Sequence, residues 1–355
     1  MRILLDVSTL NPQKVTGVGV YMQQLLQHLP VVSPDVELVP VVKVSRFRKL
    51  KKIQNFIGKK CRILFPWKIF STEKTLYHGP DFKLNTRGNL PLVATVHDMV
   101  VFEQKYNHED FYEKGIADLS AVLLSPHLSA VIVNTEFTKK EVLKYFPNLH
   151  GKVYVTYFGC NRVASADLTQ KKLDLPENYF LFLGTLEKRK NVLGVIKAFE
   201  IYKKTGGPGH LVFAGAWGFG ADDIKAALAK SEYKDFIQRL DYVPNEMLPE
   251  LYARAQAFVF PSFYEGFGLP VLEAMQLGCP VVTSDHGALA EVSGDAAILV
   301  DCQSPEKIAE GLHQVLDKNL REQLKAQGYK QAQKFTWEEC AKKTYEVYRQ
   351  VVRNV

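Results

Sequence analysis

Two glutamates, Glu265 and Glu273, stand with seven residues between them in Pro261-Ser-Phe-Tyr-Glu265-Gly-Phe-Gly-Leu-Pro-Val-Leu-Glu273. The spacer opens with Gly266, Phe267, Gly268 and Leu269 and continues with Pro270, whose missing amide costs nothing in the first turn of a helix. A glycine-rich turn into a helix start offers bare backbone amides to an anion. Carboxylates beside such a place are odd if an anion is all that binds. They fit a ligand that also carries hydroxyls, with Glu265 accepting from a sugar and Glu273 from a ribose. The plainer alternative is that both acids only complement the helix dipole.

Three other turns fit such a ligand. In Phe182-Leu-Gly184-Thr-Leu-Glu-Lys188-Arg189-Lys190-Asn191, the Arg189 fork and the Lys190 point charge suit the two phosphates of a diphosphate. No Asp-x-Asp occurs anywhere in the chain to hold a divalent ion, so this pair is expected to stabilise the departing diphosphate itself. Thr16-Gly17-Val-Gly19-Val-Tyr21 is expected as a loop that lays backbone amides on a phosphate or an acceptor. It is no dinucleotide fingerprint, because Met22 stands where the third glycine belongs. Val96-His97-Asp98 ends an apolar run. His97 is a candidate to bond a sugar hydroxyl, and Asp98 to orient an acceptor or take its proton. A satisfied buried histidine and a helix-capping aspartate are the alternatives.

The elements that carry these turns alternate. Strands are expected at Arg2–Val7, Val36–Val42, Leu76–His78, Leu92–His97, Ala130–Asn134 and Val153–Tyr157, with helices at Val20–Leu29, Glu109–Leu124 and Thr138–Phe146. The polar stretch Phe158–Glu177 reads as a linker. A second series follows, with strands at Tyr179–Leu183, Leu211–Ala214, Phe236–Leu240, Ala257–Phe260, Val281–Ser284 and Ala297–Val300. Its helices are expected at Val192–Lys204, Asp222–Lys230, Glu246–Ala255, Leu269–Leu277, Pro305–Leu316 and Leu320–Lys334. Apolar strands with helical crossovers imply parallel sheets covered on both faces, which bind ligands beyond the strands' carboxyl ends.

The chain has 355 residues, enough for two domains, and 46% apolar with 23% charged residues suits a globular protein. No window reaches the roughly 18 apolar residues of a membrane span, and Met1–Asp6 reads as a strand and not as a signal peptide. Five scattered cysteines argue against a disulfide framework or a zinc site, so a cytoplasmic location is expected. Lys43–Lys74 holds eleven Lys or Arg against Glu73 alone, interleaved with Phe47, Phe56, Ile57, Phe65, Trp67 and Phe70. Such a segment suits an anionic membrane surface, at about 1 kcal/mol per basic residue. A solvated basic helix face or loop is the alternative. Nucleic acid is not expected, because no recognition module accompanies the charge.

Taken together, the four turns resemble those of the large retaining glycosyltransferase family with the GT-B fold, usually called family 4. Its signature is Glu-x7-Glu, met here by Glu265 and Glu273. The resemblance extends upstream through Asp241-Tyr-Val-Pro-Asn-Glu-Met-Leu-Pro-Glu-Leu-Tyr. Downstream it includes Gly278-Cys-Pro-Val-Val-Thr-Ser and Leu289-Ala-Glu291-Val. In the first half it rests on Gly17-Val-Gly19-Val-Tyr21, His97-Asp98 and Val133-Asn-Thr-Glu-Phe-Thr138. It implies an α/β architecture of two Rossmann-like domains whose parallel sheets face across a cleft, with the last helix crossing back to the first domain. The expected boundaries are 1–162, with about 338–355 returning, for the acceptor side and 163–337 for the nucleotide-sugar side.

The resemblance also implies roles. Glu265, His97 and Asp98 form the catalytic group. Arg189 and Lys190 hold the diphosphate with the amides of Gly266, Phe267, Gly268 and Leu269 and with Gly17 or Gly19. The loop Tyr242–Asn245, Val243 included, meets the base, and Glu273 meets the ribose. Anomeric configuration is retained by front-face attack in which the leaving phosphate takes the acceptor's proton, with no metal or cofactor. The second turn looks most like those of bacterial enzymes using GDP-mannose, with a UDP-hexose as the alternative donor and a glycan or lipid-linked sugar as acceptor. Val20 departs from the many relatives that carry Arg there. The competing readings are a non-catalytic sugar-nucleotide-binding subunit of a membrane glycan-assembly complex and a nucleotide-sugar epimerase. A phosphorylase is disfavoured by length and by the lack of a pyridoxal lysine.

Overall fold

The computed structural model describes residues 1–13, 16–64, 74–81, 90–106, 109–160 and 173–353. The chain folds as two units: Met1–Gln104, Glu109–Gly159 and Phe335–Val355 in the first, Lys105–His108 and Cys160–Lys334 in the second.

The first unit runs β1 (Arg2–Asp6), α1 (Gly17–Val32), β2 (Glu37–Lys43), α2 (Leu50–Ile57), β3 (Arg62–Leu64), β4 (Thr75–Gly79) and β5 (Leu92–Val96). It continues with α3 (Glu109–Leu123), β6 (Leu128–Val133), α4 (Glu136–Tyr145) and β7 (Val153–Val155). Its seven strands are all parallel in the order β3-β2-β1-β4-β5-β6-β7. Because helices cover both faces, β4 and β5 are buried at every residue, which explains why the strands read as unbroken apolar runs.

The second unit comprises β8 (Tyr179–Leu183), α5 (Val192–Lys204), β9 (His210–Ala214), α6 (Ala221–Lys230), β10 (Ile237–Leu240), α7 (Leu248–Ala253) and β11 (Ala257–Phe260). There follow α8 (Leu269–Gln276), β12 (Val281–Ser284), α9 (Gly287–Ser293), β13 (Ile298–Val300), α10 (Pro305–Gln314) and α11 (Lys318–Ala332). Six parallel strands take the order β10-β9-β8-β11-β12-β13. Phe182 packs between Phe213 and Phe260, with ring centroids 5.5 Å from each, at the centre of that core.

The last helix, α12 (Trp337–Arg353), belongs to the first unit. Its Tyr348 hydroxyl lies 2.6 Å from His78 Nδ1 on β4, and the other ring nitrogen of His78 lies 2.8 Å from Thr95 Oγ1. Trp337 packs near Tyr21 and Phe158, which stack at 4.7 Å. Burial pushes the His78 pKa down to about 3, so this imidazole is a neutral strut.

One local expectation needs correcting, and two further helical segments appear. Gly17 and Gly19 lie in the first turn of α1 and not in a loop, because Thr16 caps the helix by accepting the Gly19 amide at 3.4 Å. Residues 287–293, unassigned in the sequence, form α9. The basic run is ordered where it is described: a 3₁₀ segment, Val44–Lys49, leads into α2, whose Ile53 is fully buried while Phe47 is 57% exposed. Phe65, Trp67, Lys68, Phe70 and Glu73 of that run lie outside the described residues, as does most of the expected linker. Among the described residues no helix is long and apolar enough to cross a membrane.

Candidate functional site

In each unit the strand order reverses direction once, at β1/β4 and at β8/β11. Such a switch point opens a crevice at the carboxyl ends of the two diverging strands. In the second unit the turn after β8 carries Arg189 and Lys190, and the turn after β11 carries Ser262 and Glu265. The topology therefore brings together two sequence motifs that lie far apart along the chain.

The contact between them is direct. Arg189 Nη1 lies 3.0 Å from Glu265 Oε2 and donates to the Tyr264 carbonyl at 2.6 Å, while Nη2 pairs with Glu187 Oε1 at 2.7 Å. Lys190 Nζ stands 3.7 Å from Glu265 Oε1, to which Ser262 Oγ donates at 3.2 Å. Asn191 ties the two turns at their base. It adopts a left-handed conformation (φ 57°) and its buried amide donates to the carbonyls of Pro261 (3.1 Å) and Cys302 (2.7 Å). Gly184 beneath them has a φ of 141°, a backbone conformation that L side chains rarely adopt.

Burial alone would raise the Glu265 carboxyl. The charges of Arg189 and Lys190, with hydrogen bonds from Arg189 and Ser262, outweigh it and hold the carboxyl below its ordinary value. Gly266, Phe267 and Gly268 form the turn into α8, and Leu269 is its first residue. Gly268 has a φ of 105° and its missing Cβ makes room for the Leu289 side chain. Glu273 sits one turn into α8, half-buried, and accepts from the Tyr252 hydroxyl at 3.3 Å. Burial raises its carboxyl, and the Tyr252 hydrogen bond offsets only part of that. Val243 is buried just beyond β10, beside Tyr242, which is 76% exposed.

The first unit presents a different edge. His97 follows β5, and its Nε2 lies 2.7 Å from the Pro80 carbonyl beyond β4. A carbonyl only accepts, so Nε2 carries the proton and Nδ1 is left as an acceptor. Burial against Tyr21 and Phe158 lowers the pKa of the ring, which favours that neutral tautomer. Asp98 Oδ1 accepts the Val100 amide at 3.1 Å, where a short 3₁₀ turn, Val100–Phe102, begins. Among the described residues no group of three or more His, Cys, Asp or Glu gathers as metal ligands do.

Known proteins share both the cluster's sequence frame and the fold around it. The family described as Glycosyl transferases group 1 matches residues 165–331, a span that contains the whole Arg189–Glu265 cluster. O-antigen chain mannosyltransferase B of Escherichia coli is 30% identical over 369 residues, covering 94% of this chain and 96% of that protein. This chain is a group 1 glycosyl transferase. O-antigen chain mannosyltransferase RfbU of Salmonella typhimurium is 29% identical over 220 residues, covering 61% of this chain and 59% of that one. Sucrose-phosphate synthase of Thermosynechococcus elongatus shares the GT-B fold, with a TM-score of 0.71 at 18% identity over 100% of both chains. Anabaena HepE, solved with UDP and glucose, gives a TM-score of 0.70 at 14% identity over 100% of this chain and 99% of its own.

In this glycosyl transferase the cluster has members that motif reading missed. Glu187 and Ser262 each grip one partner of the Arg189–Glu265 pair, Asn191 fixes the turn, and Tyr252 aims Glu273. Glu187 had a signal, an acid two residues before Arg189. Ser262 and Tyr252 had none, since serines and tyrosines near turns are ordinary.

Proposed function

We propose that this glycosyltransferase moves a hexose, mannose from GDP-mannose, onto a glycan or lipid-linked acceptor with retention of anomeric configuration. The observation that carries the reading is the Arg189–Glu265–Lys190 cluster at the β8/β11 switch point. The choice of mannose rests on the names of the two O-antigen mannosyltransferases to which the chain is similar. Arg189 and Lys190 take the diphosphate, helped by the amides of Gly266–Leu269 and, from the first unit, by Gly17 and Gly19. Glu265 accepts from hexose hydroxyls, Glu273 from the ribose, and the backbone at Val243 meets the base. His97, through its unprotonated Nδ1, accepts from a hydroxyl, and Asp98 orients the acceptor.

The step needs no protein nucleophile. The acceptor oxygen forms the new bond to the anomeric carbon on the face from which the diphosphate departs, and a phosphate oxygen takes the acceptor's proton. Charge grows on the leaving diphosphate, and two cations preorganised beside it stabilise that charge. The same two cations make a divalent ion unnecessary in this reading.

We further infer work at the inner face of the membrane, with Arg46, Phe47, Arg48, Lys49, Lys51 and Lys52 exposed toward anionic lipid. Replacing Arg48, Lys49, Lys51 and Lys52 should weaken binding to phosphatidylglycerol vesicles, and unchanged binding would return the segment to a solvated face. The donor reading is tested by incubating the protein with GDP-mannose, UDP-glucose and ADP-glucose in excess EDTA. Slow release of mannose and GDP is expected. A sugar isomer as product would indicate an epimerase, complete silence a scaffold, and activity restored only by a divalent ion would refute metal independence.

A further inference from the structure

The chemistry of the donor site leaves one feature unused, on the side of the second sheet away from Glu265. Arg239, on β10, lays its guanidinium 4.2 Å from the centroid of Trp217, which stands in the turn after β9, and forms an ion pair with Asp241. The Arg239 Nε is buried and meets no acceptor among the described residues, so stacking and the acid alone orient the guanidinium. The Asp241 carboxylate stays 84% exposed. Exposed ion pairs contribute little to stability, commonly under about 1 kcal/mol, so folding gives little reason for a stacked arginine to steer this acid.

Backbone bonds join this feature to the phosphate turn. Leu186 donates to Ala216 (2.8 Å), Gly218 to Leu186 (2.9 Å) and Lys188 to Phe219 (2.9 Å), so the strand that delivers Arg189 runs beside the Trp217 turn. Gly215 donates to the Asp241 carbonyl at 3.1 Å. Asp241 is thus held at the same carboxyl edge as the diphosphate cluster, two strands across. Next to it the Tyr242 ring lies open to solvent, a flat surface for stacking.

We propose that Asp241, positioned by Arg239 on Trp217, reads the donor's base and selects guanine. Guanine presents N1–H and N2–H₂ side by side, which match the two oxygens of one carboxylate. Uracil offers a single N–H between two carbonyls, and adenine an unprotonated ring nitrogen beside its amine. Each of these sets a lone pair against the acid.

The inference rests on the donor reading above, and calorimetric titration of GDP, UDP and ADP, without acceptor or metal, separates the two. The wild type should favour GDP. Asp241→Asn should lower the GDP-over-UDP preference about 10- to 100-fold, the worth of one bidentate base contact. Tyr242→Ala should weaken all three nucleotides alike, because stacking does not read the base edge. Asp241 is exposed, and an unchanged melting temperature will show that the variant is folded. An Asp241→Asn protein that keeps the original preference overturns the Asp241 assignment alone, whereas a wild type that favours UDP overturns that assignment together with the choice of GDP-mannose as donor. A folded wild type that binds no nucleoside diphosphate overturns this assignment and the donor reading together.

Discussion

The turns after β8 and β11 in the second unit and the turn after β5 in the first are built with different electrostatics, although the first sheet keeps an ion pair, Lys43 with Asp6, at the ends of β2 and β1. In the second unit, Arg189 pairs with Glu187 and Glu265, and Lys190 approaches Glu265, so the cost of partly burying these groups is offset by their neighbours. In the first unit, His97 and His78 are buried toward the neutral form and Asp98 spends one oxygen on a backbone amide. The contrast argues for a division of labour. In the proposed reading, the turns after β8 and β11 receive an anion and stabilise it as it leaves, while the turn after β5 offers the His97 ring to a hydroxyl.

The largest expected effect tests that division directly. Glu265→Ala should lower transfer about 100- to 1000-fold, as loss of a single preorganised polar contact does, with the melt showing an intact fold. His97→Ala should lower transfer about 10- to 100-fold, the cost of leaving one buried hydroxyl without its partner, and leave nucleoside diphosphate affinity unchanged. Steady-state kinetics and calorimetry on the two variants read both. Lost nucleotide affinity in His97→Ala would erase the contrast between the units.

Acid should separate the units next. His78 titrates near 6.5 in an unfolded chain and at about 3 when folded, so the unfolded chain binds the proton first and the first unit loses stability as pH falls below about 6.5. The second unit responds differently. Glu273 has a raised carboxyl, so the folded form takes its proton first and gains stability as pH falls toward the ordinary value of 4.5. Glu265 has a lowered carboxyl, and its contribution is lost only below 4.5. Hydrogen exchange, corrected for intrinsic rates, should show the first unit loosening at pH 5.5 while the second holds. Loosening of both together would mean that the histidines do not govern the acid response. A companion variant, Glu273→Gln, should raise the neutral-pH melting temperature by a few degrees, since about 1 kcal/mol moves a unit of this size by 2–4 °C. A lowered melting temperature would show that the ionised form is the favoured one.

The same contrast explains what the sequence disclosed. Buried strands are unbroken apolar runs, so Tyr179–Leu183 was legible to the residue, as was the helix Val192–Lys204. The charged cluster was legible too, because Arg189, Lys190 and Glu265 are conspicuous in glycine-rich turns. Their mutual pairing was not, since it arises only when β8 and β11 become neighbours. In the turn after β5, His97 and Asp98 looked like many satisfied core residues, and the Val100 amide that Asp98 accepts fits such a structural part beside the proposed one. The helix α9 begins at a glycine and is too short for a periodic pattern, and α2 was masked by its charge although Leu50, Ile53 and Ile57 keep helical spacing.

The smallest expected effect concerns the place where the first unit is assigned an anion contact after all. Gly17 and Gly19 are poor helix formers, and only the Thr16 cap explains why α1 starts at Gly17 when its apolar pattern begins at Val20. Thr16→Ala should therefore cost about 1 kcal/mol, seen as a lower urea midpoint and faster exchange at Gly17–Tyr21, and Thr16→Ser should restore it. If the first-turn amides also touch the diphosphate, the frayed turn should raise the donor KM about 3- to 10-fold, the worth of one such hydrogen bond. An unchanged KM beside the lost stability would remove Gly17 and Gly19 from the donor site. All anion recognition would then fall to the second unit, and the contrast between its turns and those of the first would be sharper.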